Sequence, residues 1–439
     1  MAAFWIDLRI ALLNLVEHRR RSVILGTAIA AVACLAVLFT ALVSGAENST
    51  LEVTTTAGTG DLNVAGFFKV TNGQPAAVIS DYQPLQQLVR RLLPEMDGMV
   101  VRGRGWGRII SDHGISILTG LGGIDVDEES RLRNVLTFQS GNFADLKAPN
   151  TLIMFEEHAK KLHVKVGDTV TVVASLRNGT TNTADCKVVG IARELGALSR
   201  FILYVSNDTW RQLYRVRENV AGALHLRVRP EFADDLPALA ARMRKDLKGA
   251  GYRVLEPDGQ SGAEKLSRLS RIDFRGQILD ITTWDEELPF QKWSIGLLRA
   301  VGLLLLSALS FITLAGVMNT LAIAVRERTR EIGTLRAIGL QRTGVARLFL
   351  LEAGLLGALA STAGAALALV LIQLTNASAI PVPLVIQLFV MKTTLELALD
   401  PAASLAVIAL ITIGTTIAAL LPTYRAARRS PVDAIAHFG

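Results

Sequence analysis

Four long apolar runs divide the chain. Ser22–Val43 carries no charge, Ile295–Val325 carries only Arg299, Leu348–Leu374 carries only Glu352, and Ala402–Tyr424 again carries none. Each reaches the roughly 20 residues needed to cross about 30 Å of hydrocarbon. The pattern therefore predicts four transmembrane helices. An amphipathic stretch, Phe4 to Val16, precedes the first run. The basic cluster His18 to Arg21 and the small residues Ser44 to Ala46 also fit a cleaved leader, but the apolar core exceeds the usual leader length of about 7–15 residues. An uncleaved anchor is the reading adopted.

Between the first two runs the pattern changes to that of an α+β domain. "GDLNVAGFF" (Gly60 to Phe68) alternates as a strand, "DYQPLQQLVRRLL" (Asp81 to Leu93) has helical spacing, and "GMVVRGRGWGRII" (Gly98 to Ile110) alternates again. Near the far end, "AGALHLRVRP", "DDLPALAARMRKDLKG" and "YRVLEP" repeat the order strand, helix, strand. Two separated β-α-β units suggest a ferredoxin-like subdomain with an insertion. That insertion, about residues 111–215, reads as β-rich, with short helices near Glu156–Leu162 and Asp208–Tyr214, and as a small module standing on the first subdomain. "WDEELPFQKW" (Trp284 to Trp293) leads into the second run with an interfacial Trp at each end.

Charge placement orients these elements. Arg9 and Arg19–Arg21 precede the first run, six arginines lie in Arg326–Arg347, and Arg425, Arg428 and Arg429 follow the fourth. The loop between the third and fourth runs holds a single basic residue, Lys392. By the positive-inside rule both termini and the Arg-rich loop are cytoplasmic, and Gly45–Ser294 lies outside. That outer region has 31 Lys+Arg and 31 Asp+Glu, so the chain's net +7 comes from the membrane flanks. The basic balance reflects topology, and no nucleic-acid partner is expected.

The resulting organisation is a cytoplasmic N-terminal helix (1–21), first span (22–44), outer domain (45–294) and second span (295–325). A cytoplasmic loop (326–344), third span (345–374), outer loop (375–401), fourth span (402–424) and cytoplasmic tail (425–439) follow.

Signatures of catalysis are missing. There is no G-x-x-x-x-G-K-[ST] phosphate loop and no H-E-x-x-H. "EEHAKKLH" sets His158 and His163 five apart, a poor match to one helix face, and reads as surface polar residues. "DGQSGA" lacks the second glycine of a nucleophile elbow. "DVDEES" (Asp125 to Ser130) lacks calcium-loop spacing and reads as a solvated turn. Cys34 lies in the first span and Cys186 in the outer domain, so they form neither a bridge nor a metal site. Neither an enzymatic activity nor a bound cofactor or metal is expected of this chain.

Two polar features remain. Glu352 lies about one turn past Arg347; it is either an intramembrane functional carboxylate or half of an interfacial salt bridge. Arg299, near the outer end of the second span, is expected to snorkel. The loop "VRERTREIGTLRAIGLQRTG" (Val325 to Gly344) places Ile332, Leu335 and Ile338 along one apolar edge among arginines, with Glu327 and Arg330 at i,i+3 and Gly339 suited to end the helix. It is either a helix floating in headgroups or an element docking into a cytoplasmic partner.

"VRERTREIGTLRAIGLQRTGVARLFLLEAGLLG", together with "PTYRAARRSPVDAIAHFG" at the C-terminus, resembles the signature of the FtsX-like permease family. That family includes membrane subunits of ABC transporters of the macrolide-exporter and lipoprotein-releasing type. The resemblance implies a half-transporter that pairs with a second permease subunit, identical or homologous. It also implies two copies of a separate ATPase holding ATP and Mg, a periplasmic carrier or adaptor, and membrane lipid around the spans. The location implied is a bacterial inner membrane. It makes the loop a coupling helix, the role falling on Glu327, Arg328, Thr329, Arg330, Glu331, Ile332, Gly333, Leu335, Arg336, Ala337 and Gly339. "TLIMFEEHAKKLHVKVGDTVTVV" and "CKVVGIARELGALSRFILYVSNDTWRQL" look like segments of the lipoprotein-releasing permeases, whereas "RERTREIGTLRAIG" is closer to the generic exporter form. Lipoprotein release or handling of a similar amphipathic cargo is the leading expectation. A macrolide-exporter-like efflux component and a signalling subunit that activates a cell-wall hydrolase are the alternatives.

Overall fold

The computed structural model describes residues 2–70, 74–176, 180–260, 262–327, 341–383, 387, 391–392 and 394–427. The chain forms two compact units: Met1–Asn48, Gly296–Pro381 and Thr394–Gly439 make one, and Ser49–Ile295 with Val382–Thr393 makes the other.

The first unit is helical. Among the described residues four helices are long and apolar enough to cross a membrane. They are parts of Arg19–Val53, Pro289–Glu327, Arg342–Ala377 and Pro401–Ala427, called spans one to four below. At 1.5 Å per residue, spans one to three run to about 50–60 Å, well beyond the hydrocarbon they need to cross. Span one does not stop where its apolar run stops. It continues through Glu47 and Asn48 to Val53, and a π-helical turn, Thr54–Gly58, follows.

Spans one and three pack through small residues and climb in step. Gly26 meets Leu356 and Ala360, and Gly364 sits against the Ala30 carbonyl and Ala33. Cys34, Val37, Ala365 and Ala368 continue the same seam. Such close backbone approach replaces the hydrophobic drive that lipid does not supply. The pairing is parallel, so the arginine-rich starts of spans one and three lie at the same end of the bundle. Span two runs the other way: Arg299 pairs with Glu47, and Gly302 sits against Phe39. Leu303, Leu304, Phe311 and Ile312 of span two are all more than two-thirds exposed, as a lipid-facing stripe should be.

The second unit is built on a ten-stranded sheet. Its strands are β1 Leu62–Lys69, β2 Met96–Ser111, β3 Ser116–Ile124, β4 Phe138–Gly141, β5 Thr151–Phe155, β6 Thr169–Ser175, β7 Thr181–Ala192, β8 Ile202–Ser206, β9 Ala223–Val228 and β10 Gly276–Thr283. The first part is the antiparallel run β10-β1-β9-β2. One face of it carries Leu62, Val64, Leu224, Leu226 and Ile281 against helices Tyr82–Leu92 and Leu236–Gly249, whose Leu85, Val89, Leu239 and Met243 complete a dry core.

The second part closes on itself. β2 pairs with β3, β3 with β8, β8 with β5, β5 with β7, β7 with β6, and β6 returns to β2. A closed ring leaves its members no exposed edge. Helix Asn207–Tyr214 supplies Trp210 and Leu213 to its core, beside Ile109, Leu121, Cys186 and Val205. The two parts share a strand: the 16-residue β2 belongs to both. Its Met96–Arg102 stretch pairs with β9 and its Gly103–Ser111 stretch with β3 and β6.

Candidate functional site

Strand alternation gives the β10-β1-β9-β2 sheet a second face, opposite its dry core. Asn63, His225, Arg102, Arg104, Asp280 and Thr282 share it by register. A face this polar is costly to bury unless its groups are paired; here its charged groups are, while the Asn63 amide nitrogen has no hydrogen-bond partner.

Arg102 is the centre. Its Nε lies 2.5 Å from Glu129 Oε1 and its Nη2 2.8 Å from Oε2, a two-point fork with both side chains about 5% exposed. The same guanidinium donates from Nη1 to the Ala57 carbonyl at 3.0 Å and from Nη2 to that of Thr56 at 2.6 Å. Tyr204 adds a hydroxyl donor to Ala57 at 2.9 Å. Burial pulls the Arg102 pKa down, but the Glu129 carboxylate outweighs it and the net shift is upward. Burial and the Arg102 charge act oppositely on the Tyr204 phenol, and burial wins, raising it.

Two residues on, Arg104 Nη2 lies 3.0 Å from Glu287 Oε2, and Thr282 donates to Glu287 Oε1 at 2.9 Å. Burial pushes the Glu287 pKa up, but Arg104, Thr282 and Lys265 together hold it below the ordinary value. Lys265, on helix Gly262–Ser270, reaches both oxygens of Asp280 at 2.9 and 3.0 Å. There burial outweighs the ammonium, and the Asp280 pKa is raised.

Asn63 Oδ1 accepts from the Gly60 amide at 2.8 Å, which identifies it as the oxygen, so His225 Nδ1–H donates to it at 2.7 Å. Burial, then Arg102 and Arg104, hold the imidazole well below its usual pKa. His158, in the other part of the domain, is also lowered, chiefly by burial. The unfolded chain protonates both near about 6.5 while the folded chain resists, so stability falls as pH drops through that value. His225→Gln should flatten the dependence of the unfolding midpoint on pH between about 6.5 and 5.

The residues singled out from the sequence fare differently. Glu327 closes the helix of span two, whereas Arg328, Thr329, Arg330, Glu331, Ile332, Gly333, Leu335, Arg336, Ala337 and Gly339 lie outside the described residues. Residues 428–439, with most of the C-terminal motif, do so too. Glu352 is buried on span three and accepts from Arg21 Nη2 of span one at 3.2 Å. Its near neighbour Arg347 makes a 2.5 Å charge contact with Asp7 of helix Ala2–Glu17. Arg299 does not simply snorkel; it pairs with Glu47.

Two other expectations are corrected. His163 is exposed as expected, but His158 is 3% exposed, its Nε2 within 3.2 Å of the Arg200 carbonyl, because one face of its short helix turns into the core. The acidic turn is only partly solvated: Asp125 and Asp127 are exposed, but Glu129 is the buried partner of Arg102. Among the described residues no group of His, Cys, Asp and Glu could hold a metal ion.

Helices long and apolar enough to cross a membrane are thus joined to a domain that carries buried ion pairs. Comparison with known proteins identifies the chain further. The MacB-like periplasmic core domain matches residues 23–246, a little over half of the chain, and the FtsX-like permease C-terminal region matches residues 303–431. The chain belongs to this family of permeases with a MacB-like periplasmic core, and residues 49–246 of the second unit fall within that match.

Among curated relatives, the macrolide export ATP-binding/permease protein MacB of Shewanella sp. (strain ANA-3) is 31% identical over 197 residues, 44% of this chain and 28% of that protein. MacB of Escherichia coli (strain K12) is 31% identical over 201 residues, 43% of this chain and 28% of that protein. The chain thus spans about 28% of the length of these relatives. Among solved structures, the periplasmic region of MacB from Actinobacillus actinomycetemcomitans is 12% identical with a TM-score of 0.28, covering 54% of this chain and 94% of that one.

Proposed function

We propose that this chain is the membrane subunit of an ABC transporter. In this reading ATP hydrolysis on a separate ATPase subunit, which holds ATP and Mg, is turned into movement of the periplasmic domain. The observation that carries it is the joint match to an FtsX-like permease region and a MacB-like periplasmic core. The ATPase grips the Arg326–Gly344 loop, where arginines flank the apolar edge Ile332, Leu335 and Ile338. Both termini are cytoplasmic. Two copies of the chain, or one copy and a homologue, make the working permease.

The cargo is a lipoprotein or a similar amphipathic molecule, handled on the periplasmic side. Charged groups described in the spans are engaged near helix ends, Glu352 with Arg21 and Arg299 with Glu47. Such spans suit force transmission better than a polar conduit.

The test is reconstitution of the full chain in liposomes with an ABC ATPase and a lipidated cargo protein. ATP should release the cargo to a soluble periplasmic acceptor. ATPase activity stimulated by macrolides with no cargo release would overturn the lipoprotein reading and support efflux, which the names of the MacB relatives favour. In the same assay Glu331→Ala combined with Arg336→Ala should abolish ATPase association; unchanged association and turnover would refute the coupling role.

A further inference from the structure

Arg102 and Arg104 stand two residues apart on β2, on the same face, and each holds one of the two chain segments that continue into a spanning helix. Arg102 donates to the carbonyls of Thr56 and Ala57, in the π-helical turn that follows Val53. Arg104 holds Glu287, two residues before the helix Pro289–Glu327 begins. β2 is also the strand shared by the four-stranded run and the strand ring.

We propose that Arg102 and Arg104 are positioning residues that fix both membrane-connected segments onto β2, so that movement arriving along either helix is delivered to the periplasmic sheet through one strand. The proposal rests on the transporter reading above.

Three physical features support it. The carbonyls ending a long helix lack donor partners within the helix and carry its negative end, and Arg102 supplies both donors and charge there. The two-point fork to Glu129 fixes the guanidinium plane, which a single contact would not. Burial of both side chains of that pair keeps water from loosening it. If stability were the sole requirement, apolar residues of similar volume would serve as well as the ion pair. What they cannot do is hold the Thr56 and Ala57 carbonyls.

That difference makes the test. Arg102→Met combined with Glu129→Met leaves no unpaired charge buried and should fold, but it removes both donors. The full chain is reconstituted with its partner ATPase and a lipidated cargo. The expected result is ATP hydrolysis within about two-fold of wild type with cargo released per ATP reduced about ten-fold or more. Arg104→Met combined with Glu287→Met should separate the two readouts in the same way. A release-to-hydrolysis ratio like wild type in both variants would overturn the proposal. A merely structural role would lower hydrolysis and release together, and that outcome too would overturn it. Should the methionine pair not fold, Arg102→Lys, which keeps the charge without the fork, carries the same comparison.

If wild type shows no ATP-dependent activity, the transporter reading fails by itself. The clasp is then read by hydrogen exchange of the full chain in detergent. Exchange at the Thr59 and Gly60 amides should rise about ten-fold in the methionine pair, and unchanged exchange would refute the clasp.

Discussion

Trp210→Ala, introduced with Cys34→Ala so that a single thiol remains, should raise the rate at which a maleimide labels Cys186 by about a hundred- to a thousand-fold. Trp210 is fully buried in the core of the strand ring, in one cluster with Cys186. The strands are shaped around it: a Cβ at Gly103 or Gly123 would lie 2.3 or 2.8 Å from its atoms. Its indole N–H donates to the Arg104 carbonyl at 3.3 Å, and the Tyr214 ring packs 5.7 Å away. Deleting such a side chain costs about 3–5 kcal/mol, because no neighbour can refill the space.

Cys186 reads this loss directly. Burial, then the adjacent Asp185 charge, push its thiol up to about 12, and the sulfur is inaccessible in the closed ring. The reactive species is the thiolate, so labelling has to proceed through an opened state whose population follows the opening free energy. About 1.4 kcal/mol per tenfold converts the lost packing into the expected rate. Labelling at the wild-type rate would mean that Trp210 does not hold the ring closed.

Local pattern revealed the frame of this protein. Uninterrupted apolar runs marked the spans, and alternation followed by helical spacing marked Leu62–Lys69, Tyr82–Leu92 and Met96–Ser111 to within a few residues. The polar pairings were not legible, because both partners must be known at once. Glu129 looked like part of a solvated turn; its partner Arg102 lies 27 residues away and reaches it only once β2 is in register. Glu352 and Arg21 are 331 residues apart, and Arg299 and Glu47 are 252 apart. Polar residues such as Glu47 and Asn48 likewise concealed the continuation of span one, since a helix leaving hydrocarbon no longer needs to be apolar. A signal was available for the charged face: Arg102 and Arg104 alternate with Val101 and Gly103 in a strand whose other face had to be dry. An inward arginine there demands a buried acid. The residues proposed for coupling are the reverse case, specified by sequence resemblance and lying, apart from Glu327, outside the described residues.

Gly364→Val should disrupt the seam between spans one and three far more than Gly357→Ala disrupts that between spans three and four. A Cβ at Gly364 would stand 2.2 Å from the Ala30 carbonyl oxygen and 2.9 Å from the Ala33 Cβ. Both are fixed parts of the facing helix, so the helices must separate. A Cβ at Gly357 would stand 2.1 Å from Thr415 Oγ1, the end of a side chain that can turn to another rotamer, and 3.3 Å from the Thr412 backbone. Overpacking that backbone must absorb costs about 1–3 kcal/mol or more. In the membrane no hydrophobic gain draws the parted helices back together. Cys34, buried on the same seam beside Ala365 and Ala368, is the reporter. With Cys186→Ala in the background, a membrane-permeant maleimide should label Cys34 about ten-fold faster in Gly364→Val, with little change in Gly357→Ala. The separation should also pull Arg21 from Glu352, which joins the same two helices. Glu352→Gln in the Gly364→Val chain should therefore add less to Cys34 labelling than it adds in wild type, as coupled sites do. Equal labelling of the two glycine variants would show that spans one and three do not meet at Ala30 and Gly364, and the parallel seam would have to be redrawn.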